Sequence, residues 1–157
     1  MRVLGLDSAE RTGFALVVRP PGGRERLLRH GCVTVGTGRQ VEAAVSELAV
    51  DGPDLVAIEA PFVKVNASTG LVLATLLGRW LQEWERRGVP TLTVLASTWQ
   101  IAILAGLIER TSGREARKAA ARRWTLALYG EELSEDEADA ACIASWALRR
   151  GLVGGGR

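Results

Sequence analysis

Histidine is nearly missing from this 157-residue chain, with His30 the only one. One imidazole argues against histidine-based catalysis and against a His-rich zinc site. Cysteine is almost as scarce: Cys32 and Cys142 stand far apart, each in an apolar setting. No CxxC spacing points to metal or redox work, so both read as small core residues in a reducing compartment. No apolar run approaches the roughly 18–20 residues of a membrane span, and no leader pattern precedes the first strand-like run. The expectation is a cytoplasmic protein with no membrane partner. A net charge of +2 is too small to name a partner by itself. Repeats and linkers are lacking too, so one domain over 1–150 is expected, with a flexible tail over 151–157 containing Gly154, Gly155 and Gly156.

What is present is ordinary in bulk and unusual in placement. Hydrophobic residues make up 47% and charged residues 24%, as in soluble globular proteins. The basic residues Arg110, Arg114, Arg117, Lys118, Arg122 and Arg123 crowd one segment against only Glu109 and Glu115. Such a segment suits contact with a polyanion, although a solvated helix face is the commoner explanation.

Strand-like runs fall at 3–6, 12–18, 27–35, 54–58 and 91–95, and helical periodicity at 39–50, 67–87, 97–106, 114–129 and 135–150. Gly88 is a natural stop for the second helix. Three strands in sequence, followed by helix–strand crossovers, imply an α/β fold: a mixed five-stranded sheet flanked by helices on both faces.

Two of these runs end in acids. Val3-Leu4-Gly5-Leu6 runs into Asp7, and Leu55-Val56-Ala57-Ile58 runs into Glu59. Asp7 alone also reads as the start of a turn. If the two strands are neighbours, however, both carboxylates emerge at one sheet edge. A third acidic group lies in LSEDEADAACIASWAL. There Ser134 and Glu137 form a capping box, which together with the helix dipole accounts for Glu135 and Glu137. It does not account for Asp139. Asp136, Asp139, Ala140, Ile143, Trp146 and Ala147 share the apolar face, so two acids begin a buried stripe. Carboxylates gathered this way repel one another unless protonated or neutralised by cations. Hard oxygen ligands without His or Cys suit Mg²⁺ or Mn²⁺, and two such ions on a carboxylate cluster perform in-line phosphodiester hydrolysis.

The segments GLDSAERTGFAL, VAIEAPFVKVNAS and EDEADAACIASWA, in that order and at these separations, resemble the RuvC Holliday junction resolvases of the RNase H-like nuclease superfamily. The resemblance implies an RNase H-like fold over about residues 2–150. It also implies a homodimer that cuts four-way DNA junctions with two Mg²⁺ (or Mn²⁺) ions per site. Asp7, Glu59, Asp136 and Asp139 fall on the family's catalytic, metal-binding positions. Phe62 falls on an aromatic that contacts junction bases, though it also reads as a core plug beneath its loop. Lys64, Asn66 and Ser68 line the same approach, where they would touch phosphates or cap the next helix. The long second helix corresponds to the family's dimer interface, while its Trp80 and Trp84 read as core, as do Trp99, Trp124 and Trp146.

Departures are visible too. Ser8-Ala9-Glu10 replaces a Pro-Gly loop, Gln100 or Ile101 stands where a lysine is common, and a second lysine position falls on Arg117 or Lys118. Arg114, Arg117 and Lys118 are the expected DNA contacts on the basic helix. The leading expectation is a metal-dependent, structure-selective endodeoxyribonuclease. The alternative is a YqgF-like or RNase H-like nuclease acting on RNA or RNA–DNA hybrids. GLDSAERTG loosely matches the first phosphate loop of the actin-like ATPases, but 157 residues do not supply the two domains that fold needs. A silent junction binder has no reason to keep four clustered acids.

Overall fold

The hairpin that opens the chain sets the frame for everything else. In the computed structural model, which describes residues 1–36, 38–61, 67–109 and 112–151, β1 (Arg2–Asp7) pairs antiparallel with β2 (Arg11–Val18), with Asp7 opposite Gly13. β2 pairs in turn with β3 (Arg26–Thr34), completing the meander. After α1 (Gly38–Ala49) the chain crosses over to β4 (Leu55–Ala60), which runs parallel to β1 with Leu6 beside Ile58. A second crossover through α2 (Ala67–Arg86) adds β5 (Thr91–Leu95) parallel to β4. The strand order is β3-β2-β1-β4-β5, the expected mixed five-stranded sheet. Then follow α3 (Ala96–Ile103), α4 (Arg114–Tyr129) and α5 (Glu135–Arg149).

Strand alternation sorts the core into two layers. Leu4, Leu6, Val56 and Ile58 pack with Val41, Val45 and Leu48 of α1 and with Trp80 and Trp84 of α2. Both of these indoles are fully buried, so they are core residues of that layer. Val3, Ala15, Leu55 and Ala57 face the other way, towards Ile143, Trp146 and the alanines of α5. The same parity sends Asp7 and Glu59 to the α5 side.

α5 differs from its expected form. Every residue from Ala138 to Leu148 is buried, not one stripe alone. Its inner face lies on β1 and β2, and α4 packs across its outer face. The close seat depends on two glycines. A Cβ on Gly5 would lie 2.0 Å from the Ala140 carbonyl oxygen, and one on Gly13 would lie 2.2 Å from that of Asp136. At the far end of α5, buried Glu25 accepts a hydrogen bond from Arg149 Nε at 3.0 Å and pairs with Arg19.

Two of the core assignments need correction. Cys142 is buried, but Cys32 is only half-buried because β3 is the sheet's edge strand and is covered incompletely. Trp99 and Trp146 are buried, whereas Trp124 is half-buried, packed edge-on against Tyr129 beneath the Arg149 guanidinium. Among the described residues no helix is long and apolar enough to cross a membrane.

Candidate active site

Where β1 and β4 end side by side, the N-terminus of α5 and the first turn of α4 close over them. Asp7, Glu59, Asp136 and Asp139 line one cavity of about 270 Å³ there, with Gln100, Arg114, Arg117 and Lys118 on the facing wall. Eight residues singled out from the sequence are thus brought together. Phe62, Lys64 and Asn66 lie outside the described residues, as do positions 152–157 of the tail.

Each acid is held by a local cause. Ser8 Oγ donates to the Glu59 carbonyl at 2.7 Å, tying the turn after β1 to the end of β4. Thr12 Oγ1 donates to the Ala9 carbonyl at 2.6 Å and closes that turn. The Trp99 indole Nε1 donates to Glu59 Oε2 at 2.6 Å, which orients the carboxyl and occupies one of its oxygens. Asp136 and Asp139 ride on a helix start built by the capping box, in which Ser134 Oγ accepts from the Glu137 amide and Glu137 accepts from the Ser134 amide. His30 braces the same corner, with Nδ1 2.8 Å from Glu137 and Nε2 3.2 Å from Glu131. The lone histidine is therefore a strut beneath α5 and does not line the acid cavity.

The electrostatics are those of an under-neutralised cluster. Burial, reinforced by neighbouring Asp136, pushes the Asp7 carboxyl up to about 6. Burial and then Asp7 push Glu59 up to about 7, against the opposing hydrogen bond from Trp99. Asp139 rises furthest, to about 8, through burial and the charge of Asp7. Lys118 is the internal counter-charge. Its Nζ is 3.0 Å from Glu135 and 3.7 Å from Asp136. Burial alone would lower its ammonium, but the carboxylates of Glu135, Asp139 and Asp136 outweigh that and raise it. Arg11 approaches Asp136 from the solvent side at 3.6 Å. Arg114, Arg117 and Lys118 sit at the start of α4, where the helix dipole disfavours cations. Acids across the cavity offset that cost.

The donor set fits a hard divalent cation: four carboxylates with no His or Cys, three of them held above their ordinary range by burial and by one another. Among the described residues no three of these groups already stand as a closed metal cage, and Asp136 is engaged by Lys118 and Arg11. The fit is one of chemistry and shared location.

Sequence reasoning missed one participant. Trp99 read as plain core, yet it is the hydrogen-bond partner of Glu59. The signal available was its position just after β5, the strand next to β4. Of Gln100 and Ile101, Gln100 lines the cavity, while Ile101 is 61% exposed. Arg117 and Lys118 both line it, and Lys118 is the one paired with the acids.

No protein-family model and no curated protein matches the sequence. Solved structures do match. A structure of Thermus thermophilus RuvC in complex with a Holliday junction substrate superposes with a TM-score of 0.76 at 21% identity, covering 96% of this chain and 97% of that one. A second structure of Thermus thermophilus RuvC gives 0.75 at 22% identity with the same coverage. The fowlpox virus Holliday junction resolvase gives 0.66 at 11% identity, covering 96% of this chain and 99% of that one. Over nearly its whole length, this chain has the fold of the RuvC Holliday junction resolvases.

Proposed function

We propose that this protein is a divalent-metal-dependent endodeoxyribonuclease that resolves four-way DNA junctions, a crossover junction endodeoxyribonuclease. One observation carries the reading: two strand ends and one helix bring Asp7, Glu59, Asp136 and Asp139 into a single cavity walled by Arg114, Arg117 and Lys118. The fold, shared with a RuvC solved on a junction, agrees with it. The nuclease domain spans 1–150 and works in the cytoplasm as a homodimer.

The residues divide the labour. Asp7, Glu59, Asp136 and Asp139 hold the ions, and Trp99 keeps the Glu59 carboxyl turned into the cavity. When bound, two Mg²⁺ or Mn²⁺ ions supply activation of the attacking water and stabilisation of the leaving 3′ oxygen. Arg114, Arg117 and Lys118 bind the phosphates on the other wall and orient the strand. Burial of the carboxyls keeps bulk water from screening these charges. The dimer is supported by α2, whose outer face exposes Leu71 and Val72 at 70% and 66%, beside exposed Ala74 and Gly78. Two-fold symmetry places one site on each of a junction's two equivalent strands.

The test is a labelled four-way junction incubated with Mg²⁺, Mn²⁺, Ca²⁺ or chelator, beside an RNA–DNA hybrid of equal length. Paired nicks with Mg²⁺ or Mn²⁺ and intact junction with Ca²⁺ or chelator are expected, together with sedimentation as a dimer. Cutting in chelator would refute the metal role. Faster cutting of the hybrid than of the junction would make this an RNA-directed enzyme.

A further inference from the structure

The two oxygens of Asp136 face two different cations. Lys118 Nζ stands 3.7 Å from Oδ1, and Arg11 Nε stands 3.6 Å from Oδ2. Lys118 lines the cavity and is tied to Glu135 as well, at 3.0 Å. Arg11 is placed differently. It stands outside the cavity wall, and its side chain is 66% exposed. Its stem is rigid: Arg11 begins β2 opposite Thr34, and the turn before it is held by Thr12 and by the Val35 amide, which donates to the Glu10 carbonyl at 2.7 Å. Among the described residues Asp136 is the only ion-pair partner of Arg11. The other side chain that its guanidinium meets is Cys32, whose sulfur is a weak acceptor. Glu137 adds its charge from further off, but its carboxylate is already engaged by His30 and by the Ser134 amide. A long, exposed side chain on a fixed stem thus ends on one carboxylate of the acid cluster. The contact is longer than a normal hydrogen bond, and exposed pairs of this kind favour the paired state by no more than about five-fold.

We propose that Arg11 is a further phosphate-binding residue of this site, parked on Asp136 in the ion-free protein and released to the DNA strand when a divalent ion takes that carboxylate. This rests on the junction-nuclease reading above. A doubly charged ion and a guanidinium repel each other if both keep to one carboxylate. The ion is shared with the other acids, whereas Arg11 has one loose contact, so Arg11 is the partner that leaves. Its stem stays at the rim of the cavity, where a strand must pass to reach the acids. A guanidinium fits phosphate oxygens as well as it fits a carboxylate, so the exchange replaces one anionic partner by another. Lys118 remains behind, held by Glu135. The two bound species then help each other: the ion frees Arg11 for the strand, and the strand, by taking Arg11, clears Asp136 for the ion. Ions are held weakly until DNA is present.

The experiment compares the native chain with Arg11→Met. Its probes are a labelled four-way junction, in chelator and in Ca²⁺, and Mn²⁺ alone, followed by its paramagnetic resonance signal. In chelator Arg11 is occupied, so Arg11→Met should change junction affinity by less than about two-fold. In Ca²⁺ the same substitution should weaken binding about five-fold and lower the salt slope by about one. Asp136→Asn should free Arg11 without any ion, so on that background Arg11→Met should cost about five-fold even in chelator. Without DNA, Mn²⁺ should bind Arg11→Met about two- to five-fold more tightly than the native chain. Arg11→Lys keeps the charge and should keep the Ca²⁺-dependent part of the affinity. Arg11 is exposed, so both Arg11 variants should keep the thermal midpoint of the parent. An equal loss in chelator and in Ca²⁺, or no loss in either, would overturn the exchange and leave the nuclease standing. So would Mn²⁺ binding unaltered by Arg11→Met, or an Asp136→Asn background on which Arg11→Met costs nothing. No binding of the junction by the native chain under any of these conditions would overturn both.

Discussion

Replacing Asp139 by asparagine should stabilise the ion-free protein at alkaline pH. Burial, with Asp7 adding, lifts the Asp139 carboxyl from 3.8 to about 8, while Asp7 and Glu59 rise to about 6 and about 7. In the unfolded chain such groups ionise near pH ~4. Between those limits the fold holds protons that the unfolded chain releases. Stability is therefore fully present below pH ~4 and is lost as the pH rises towards ~8. The Asp139 interval spans about four pH units, which at ~1.4 kcal/mol each sets a ceiling of roughly 6 kcal/mol. A buried amide still loses its water, at a cost of about 1–3 kcal/mol. The net gain near pH ~8 is then about 3 kcal/mol, or about 6–12 °C in Tm for a chain of this size. Near pH ~4.5 the native carboxyl is already neutral, so only the amide cost of about 1–3 kcal/mol remains and the variant should be no more stable than the parent. Urea titrations in chelator, followed by tryptophan fluorescence at both pH values, measure the difference. Adding Mg²⁺ should raise the parent more than the variant. The reasoning fails if Asp139→Asn gains nothing near the upper pH, or gains equally at both.

Three further outcomes follow from the same geometry. Lys118→Met removes the cation that lowers Asp7, Glu59 and Asp139, so it should weaken junction binding and reduce its salt slope by about one, read from affinities across a salt series. Trp99→Phe deletes the donor that holds Glu59 down. The acid limb of the cleavage-rate profile should move to higher pH, with a stability loss of about 1–3 kcal/mol on denaturation. Gly5→Ala forces a methyl to within 2.0 Å of the Ala140 carbonyl, so α5 must shift. It should cost about 1–3 kcal/mol in thermal melts and depress cutting well beyond the share explained by unfolding.

Much of this was legible in the sequence because strands and helices carry strict periods. The five strand runs and five helices fall where alternation and three-to-four spacing put them, and period two sends Asp7 and Glu59 to a common face. What eluded that reading depends on neighbours distant in sequence. The one-stripe view of α5 failed because α4 covers its other side, and nothing within residues 135–149 announces that cover. Nothing in the strand-like runs that hold Gly5 and Gly13 announces the helix backbone that lies against both. Cys32 lies in an apolar context, yet its exposure follows from the edge position of β3. Trp99, in α3 just after β5, hydrogen-bonds to Glu59 of β4, and it is the pairing of those two strands that brings them together.

The seat of α5 has a consequence for how the spacing of the acids is kept. Glycine and alanine surfaces let a helix come close to a sheet, but they offer few teeth against sliding along its own axis. The fifteen residues of α5 make a rod of about 22 Å. Its leading end carries Asp136 and Asp139, and its trailing end is moored where Arg149 meets the buried carboxylate of Glu25 and stacks over Trp124. That mooring, a full rod-length from the chemistry, holds the trailing end, as the capping box and His30 hold the leading one. The reach of the two aspartates towards Asp7 and Glu59 is thus pinned from both ends of the rod, like a piston held between two stops.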